Sequence, residues 1–178
     1  MSTRTTIGSS SKVIVLVEGA LCVALSVVFS YFKLFSMPQG GSITLEMAPL
    51  FYFAYRCGWR WGILAGGVSG LLQMLFGGYI AHPIQAILDY PLAFACMGIA
   101  GIFVKNLKQI ICGTIAASAL RLLCHVLSGV IFFSSYAPDG QNPWVYSFVY
   151  NASFMVPSLI ISGVIALFLW RKFPNSAA

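Results

Sequence analysis

The positions of the positive charges constrain this chain more than any motif does. Ten lysines and arginines interrupt an otherwise apolar sequence, and they fall in alternate gaps between apolar segments. Arg4 and Lys12 precede the first segment, Arg56 and Arg60 separate the second from the third, Lys105 and Lys108 separate the fourth from the fifth, and Arg171 and Lys172 follow the sixth. The other gaps hold only Lys33. Basic residues beside a crossing stay on the cytoplasmic side, so this alternation predicts six membrane crossings with both termini inside. Arg121 alone breaks the pattern, because it falls within a crossing.

Apolar residues make up 59% of the chain and charged residues 8%, with a mean hydropathy of +0.88. That balance excludes a water-soluble domain of ordinary composition. Six helices of about 20 residues consume most of the chain, so residues 1–178 are expected to form one all-α integral membrane bundle without a second, soluble domain. The first apolar run, Val13 to Phe32, is long enough to span and has no small-residue cleavage pattern after it, so it reads as the first helix. The predicted helices are 13–34, 43–56, 61–76, 84–104, 109–133 and 145–170. The second and third are short for a full crossing, which points to tilt, breaks or shelter by neighbours. Trp59, Trp61, Trp144 and Trp170 all fall near proposed helix ends, where an indole prefers to sit.

Small residues at four-residue spacing let helices in lipid approach closely. Gly62, Gly66 and Gly70 form one such seam, and Ala20 with Ala24 another. Spacing leaves open whether each packs inside the bundle or receives another membrane subunit. Two outward gaps, Lys33 to Ser42 and Ser134 to Trp144, are rich in turn formers. They are connectors or a mobile cover over an outward-facing site.

The formal charge of +6 does not indicate nucleic acid, because topology and the anionic inner leaflet already account for most of the basic residues. The five cysteines have no metal-ligand spacing and lie mostly in apolar runs, so neither a metal nor disulfides are expected. Catalytic residues are not expected either. Cys124 and His125 are neighbours on a helix and point about 100 degrees apart, which prevents a nucleophile–base pair. No phosphate-binding GxxxxGK[ST] loop is present, so the chain is not expected to hydrolyse ATP itself.

Ionisable and amide side chains are costly in a membrane core and require a partner or a purpose. Glu46, Asp89, Arg121, His125 and Asn151 are the relevant set. Asp89, His125 and Asn151 lie about 5, 8 and 6 residues in from the outer ends of their helices, so all three reach one layer roughly 8 to 12 Å below the outer surface. Glu46, near the outer end of the second helix, and Tyr79, just beyond the third, are placed to close the ring from above. Arg121 lies one turn deeper than His125, where it supports the floor or forms an internal ion pair with Asp89. Tyr90, Phe132, Phe133, Trp144, Tyr146 and Tyr150 fall near the same layer, although any one of them is also an ordinary packing residue. Acids with aromatic walls suit a flat, cationic, hydrogen-bonding ligand. Glu18 is expected to snorkel or to pair with Lys12, and His82 to be interfacial.

The strings GGYIAHPIQAILDYPLAFACMGIAGIF (Gly77 to Phe103) and LRLLCHVLSGVIFFSSYAPDGQNPWVYSFVYNASFMVPSLIIS (Leu120 to Ser162), with ITLEMAPL (Ile43 to Leu50) before them, carry a resemblance over nearly the whole chain. They resemble the thiamine-specific substrate-capture (S) components of bacterial energy-coupling-factor (ECF) transporters. The resemblance implies a six-helix bundle with cytoplasmic termini. By position it implies thiamine-binding roles for Tyr79, Asp89, Tyr90, His125, Phe133, Tyr146 and Asn151. In that scheme the acid takes the aminopyrimidine, His125 and the aromatics stack on the rings, and Tyr146 with Asn151 completes the hydrogen bonding. Some relatives have Glu where this chain has Asp89 and Trp where it has Phe133, exchanges that keep the type of contact. Ala20 and Ala24 resemble the AxxxA face that docks on the shared transmembrane coupling subunit. The implied partners are thiamine, membrane lipid, that coupling subunit and two ATPase subunits, in the bacterial cell membrane and with no cofactor. The alternative is a stand-alone transporter coupled to protons through Asp89 or His125.

Overall fold

The computed structural model describes residues 9–38 and 40–173, and these are mostly helical. Arg4, one of the charges behind the predicted orientation, lies outside the described residues. The helical segments are α1 (Ser9–Tyr31), α2 (Met47–Cys57), α3 (Trp59–Leu75), α4 (Pro83–Ile102), α5 (Leu107–Phe132) and α6 (Pro143–Lys172). Four of them, α1, α4, α5 and α6, are long and apolar enough to cross a membrane. The 11 residues of α2 and 17 of α3 fall short of that length, in line with their short apolar runs.

The ends of the segments follow from local chemistry. His82 and Asn142 each precede a proline at the first helical turn, and their side chains accept from the N–H of Ile84 and Trp144. Asn106 caps α5 in the same way, accepting from Gln109. Gly58, with φ of +84°, makes the abrupt turn between α2 and α3 that a side-chain-bearing residue would resist. Glu46 precedes α2 without capping it, because its carboxylate is engaged elsewhere.

The largest departure from prediction lies between α1 and α2. A two-stranded antiparallel ladder, β1 (Phe35–Ser36) with β2 (Ser42–Ile43), occupies the first outward gap. Its turn is closed by the Met37 N–H donating to the Gly41 carbonyl at 2.6 Å, with Gly40 at φ +97°. As a consequence α1 stops at Tyr31 rather than 34, and α2 begins at Met47 rather than 43. Apolar periodicity continues through both boundaries, so it did not mark them.

Helix α4 is irregular. It opens as an α-helix, widens into a π turn over Leu88–Leu92 and tightens into a 3₁₀ segment over Cys96–Ile102. Pro91 lies inside the wide turn and has no N–H to continue the regular ladder. The turn carries Asp89 and Tyr90. Against α4 runs the glycine seam of α3: a Cβ on Gly66 would strike the Phe94 carbonyl, one on Gly70 the Tyr90 carbonyl, and one on Gly62 the Cα of Gly98. This seam is therefore internal packing. Ala20 and Ala24 differ, because both are exposed on α1.

The core lies where α2, α4, α5 and α6 meet. Met47, Phe51, Tyr55, Met97, Ile110, Ala117 and Ala166 pack together there, nearly all without solvent exposure. The Tyr55 hydroxyl is satisfied by Thr114 at 2.5 Å. At the other end of the same helices the packing opens into a cavity.

Candidate ligand-binding site

The cavity measures about 600 Å³ and is bounded by residues from α1, α3, α4, α5 and α6, from the β1–β2 hairpin and from the turn that leads into α2. Tyr79, Asp89, Tyr90, His125, Phe133, Tyr146 and Asn151 all line it, as do Glu46 and Arg121. The structure therefore brings together the whole polar set named from sequence, although two of its members are placed differently from expectation.

The first concerns Arg121. Its guanidinium donates to Glu46 Oε1 at 2.6 Å, lies 4.0 Å above the Phe94 ring, and donates from Nε to His125 Nε2 at 3.4 Å. The internal pair is thus Arg121 with Glu46, and Asp89 is not its partner. The second concerns Glu46, which was expected to close the ring from above. It reaches the level of Arg121 because β2 and the turn after it carry the chain into the bundle before α2 begins. Thr44 marks that descent: it is buried, and its N–H donates to Ser158 Oγ at 3.2 Å.

Asp89 instead meets His125, with Oδ1 3.0 Å from Nδ1. Facing a carboxylate at Nδ1 and an arginine donor at Nε2, a neutral imidazole carries its proton on Nδ1. Asp89 Oδ2 accepts from two groups that sequence reasoning missed, Gln85 Nε2 and Ser128 Oγ, each at 2.7 Å. The signal was available in the spacing. Gln85 lies one turn before Asp89 on α4, and Ser128 one turn after His125 on α5, so each shares a helix face with an identified residue.

Aromatic side chains form two walls. Tyr79, Phe133 and Tyr136 stand in series with ring centroids 6.1 and 6.0 Å apart. Tyr146, Tyr150 and Phe154 form the other series, at 6.1 and 5.9 Å. The Tyr90 hydroxyl accepts from the Tyr79 N–H at 2.7 Å and so ties the loop after α3 to α4. Asn151 is buried, with Nδ2 donating to the Ser147 carbonyl at 2.9 Å. Phe132 turns away to stack on His82 at 5.0 Å, and Trp144 is exposed and does not line the cavity.

The hairpin sits over this space. Pro38, Gly40, Gly41 and Ser42 line it, and the Gly41 N–H donates to the Tyr150 hydroxyl at 3.2 Å. A Cβ on Gly41 would meet the Phe154 ring at 2.5 Å, so only glycine allows the hairpin this close to the α6 wall. Away from the cavity, Glu18 pairs with Arg56 at 2.8 Å rather than with Lys12, joining α1 to α2.

Glu46 and Arg121 cancel each other, which leaves the cavity the charge of Asp89 when His125 is neutral. Lys33, the remaining charge on the lining, is exposed. The space suits a flat monocation that offers hydrogen-bond donors to a carboxylate and ring faces to tyrosine and phenylalanine.

Known proteins match this chain along nearly its full length. The profile of the family described as Thiamine transporter protein matches residues 16–178. Thiamine transporter ThiT of Bacillus subtilis strain 168 is 36% identical over 182 residues, covering 93% of this chain and 95% of that protein. ThiT of Lacticaseibacillus paracasei is 26% identical over 181 residues, covering 92% and 90%. A solved structure of ThiT from Listeria monocytogenes superposes with a TM-score of 0.81 at 32% identity, covering 92% of this chain and 96% of that one. A structure of the S component of a bacterial ECF transporter shares the fold, with a TM-score of 0.64 at 20% identity over 90% of this chain and 95% of that one. The chain belongs to the thiamine transporter protein family.

Proposed function

We propose that this protein is a thiamine-capturing S component that binds the vitamin at the outer face of the bacterial cell membrane and passes it inward with ECF partner subunits. The observation that carries the reading is Asp89, whose carboxylate shares the cavity with two aromatic walls and, with His125 neutral, is the one buried charge on the lining that no opposite charge balances among the described residues. Thiamine is a monocation with two flat rings and an amino group. Asp89 accepts from the aminopyrimidine, while His125, Tyr79, Tyr90 and Phe133 provide ring faces and Tyr146 with Asn151 supplies further hydrogen bonds. Glu46 and Arg121 support the floor. Family membership favours this ligand over other flat cations.

In this reading all six helices cross the membrane with both termini cytoplasmic, an orientation supported by the alternating basic residues. Ala20 and Ala24 dock on the transmembrane coupling subunit, and two ATPase subunits supply the energy. Uptake of labelled thiamine into proteoliposomes tests this directly. Accumulation is expected only when the coupling subunit, the ATPases and ATP are all present. Accumulation by this chain alone, abolished by an uncoupler, would instead establish a proton-coupled secondary transporter.

A further inference from the structure

Gln85 is 2% exposed, and its amide has three partners at once. Oε1 accepts from the Ala81 N–H at 3.0 Å, while Nε2 donates to the Tyr79 carbonyl at 3.2 Å and to Asp89 Oδ2 at 2.7 Å. The orientation of the amide is forced, because a flipped group would set its oxygen against two acceptors and its NH₂ against a donor. On the opposite side of the carboxylate, Ser128, 1% exposed, donates to the same oxygen at 2.7 Å. Oδ2 of Asp89 is thereby filled by two donors. Among the described residues Oδ1 has only the His125 contact at 3.0 Å and keeps an acceptor site for the cavity.

We propose that Gln85 and Ser128 are positioning residues that decide which oxygen of Asp89 is offered to the ligand. Neither needs to touch the ligand. They act by fixing the torsion of a carboxylate carried on the π turn of α4, and Gln85 couples that torsion to the loop bearing Tyr79. Without them the carboxylate rotates, and the ligand's amino group meets a mobile acceptor. This inference rests on the proposed thiamine site.

The test compares thiamine with oxythiamine, which presents a carbonyl and a ring N–H where thiamine presents an amino group. Binding of both to the purified full-length protein and to the Gln85→Leu and Ser128→Ala variants is measured by calorimetry. Each variant is expected to weaken thiamine by about tenfold, the size of one lost charge-assisted hydrogen bond. Oxythiamine, which has no amino group to place on the oriented acceptor, is expected to change by less than about twofold. Retained oxythiamine binding also reports an intact site. Should Gln85→Leu fail to fold, Ser128→Ala removes a single oxygen and carries the test alone. Parallel losses for the two ligands would mean that these residues only maintain architecture, and unchanged thiamine binding would mean that the clamp does nothing. Either result overturns the proposal. A wild-type protein that binds neither ligand would instead remove the thiamine site itself.

Discussion

Two hollows in this molecule differ in the chemistry that shapes them. The cavity of about 600 Å³ is held open by charged and amide groups, each with a defined partner, that come from α4, α5, α6 and the turn before α2. The second, a groove of about 350 Å³ between α1 and α3, is lined only by apolar and small residues, among them Val15, Ala20, Ala24, Leu64 and Val68. The cavity closes inward on the most buried segments, and the groove lies along the least buried one. Only 17% of the apolar window of α1 is buried, against 44% for α4 and for α5. A hollow that holds polar groups at fixed distances selects a small ligand, whereas a smooth strip of small residues on a peripheral helix accepts another helix.

The sharpest way to break the cavity is to remove the cation beneath it. Arg121→Met leaves Glu46 without its partner at 2.6 Å, in a side chain only 12% exposed. The expected loss of folding stability is about 3 kcal/mol, at the low end for a broken buried pair because Glu46 lines the cavity. Thermal unfolding in detergent reads it, and restoration by the double change with Glu46→Gln would trace the cost to the stranded charge. Asp89→Asn keeps the shape and removes the anion. It is expected to weaken thiamine binding by about 1.5 to 3 kcal/mol, measured by calorimetry, and to lower the melting temperature as well, because the new NH₂ faces a donor. Unchanged affinity would reduce Asp89 to a structural partner of His125.

The groove should respond in the opposite sense. Ala20→Leu combined with Ala24→Leu fills the strip without touching the cavity, so thiamine binding by the isolated protein is expected to stay within about twofold. Uptake in the reconstituted complex is expected to fall by about tenfold, as bulk at a close helix contact prevents approach. Loss of binding together with uptake would erase the distinction between the two hollows.

Much of the cavity was legible because membrane cores make polar residues conspicuous. Asp89, His125 and Asn151 stand out in apolar helices, and counting turns from the helix ends placed them at one level. What did not show was which polar group meets which. Arg121 was read as floor support or as the partner of Asp89, whereas its partner is Glu46, and that outcome depends on how far β2 carries Glu46 into the bundle. No periodicity encodes that descent. Gln85 and Ser128 were overlooked because an uncharged amide and a hydroxyl draw less attention than an acid, although their turn-spacing from Asp89 and His125 was in plain view. The two small-residue seams look alike in sequence. They separate only once the packing is known, since Gly66 lies on the Phe94 carbonyl while Ala20 faces outward.

The most direct measurement is a calorimetric titration of the purified protein, free of partner subunits, with thiamine. Calorimetry suits this chain better than tryptophan fluorescence, since none of its tryptophans lines the cavity. One saturable site with a dissociation constant of about a micromolar or tighter, and markedly weakened in Asp89→Asn, is the predicted result. No saturable heat at micromolar thiamine, or equal binding by the two proteins, would contradict the claim that this cavity is built around a cation.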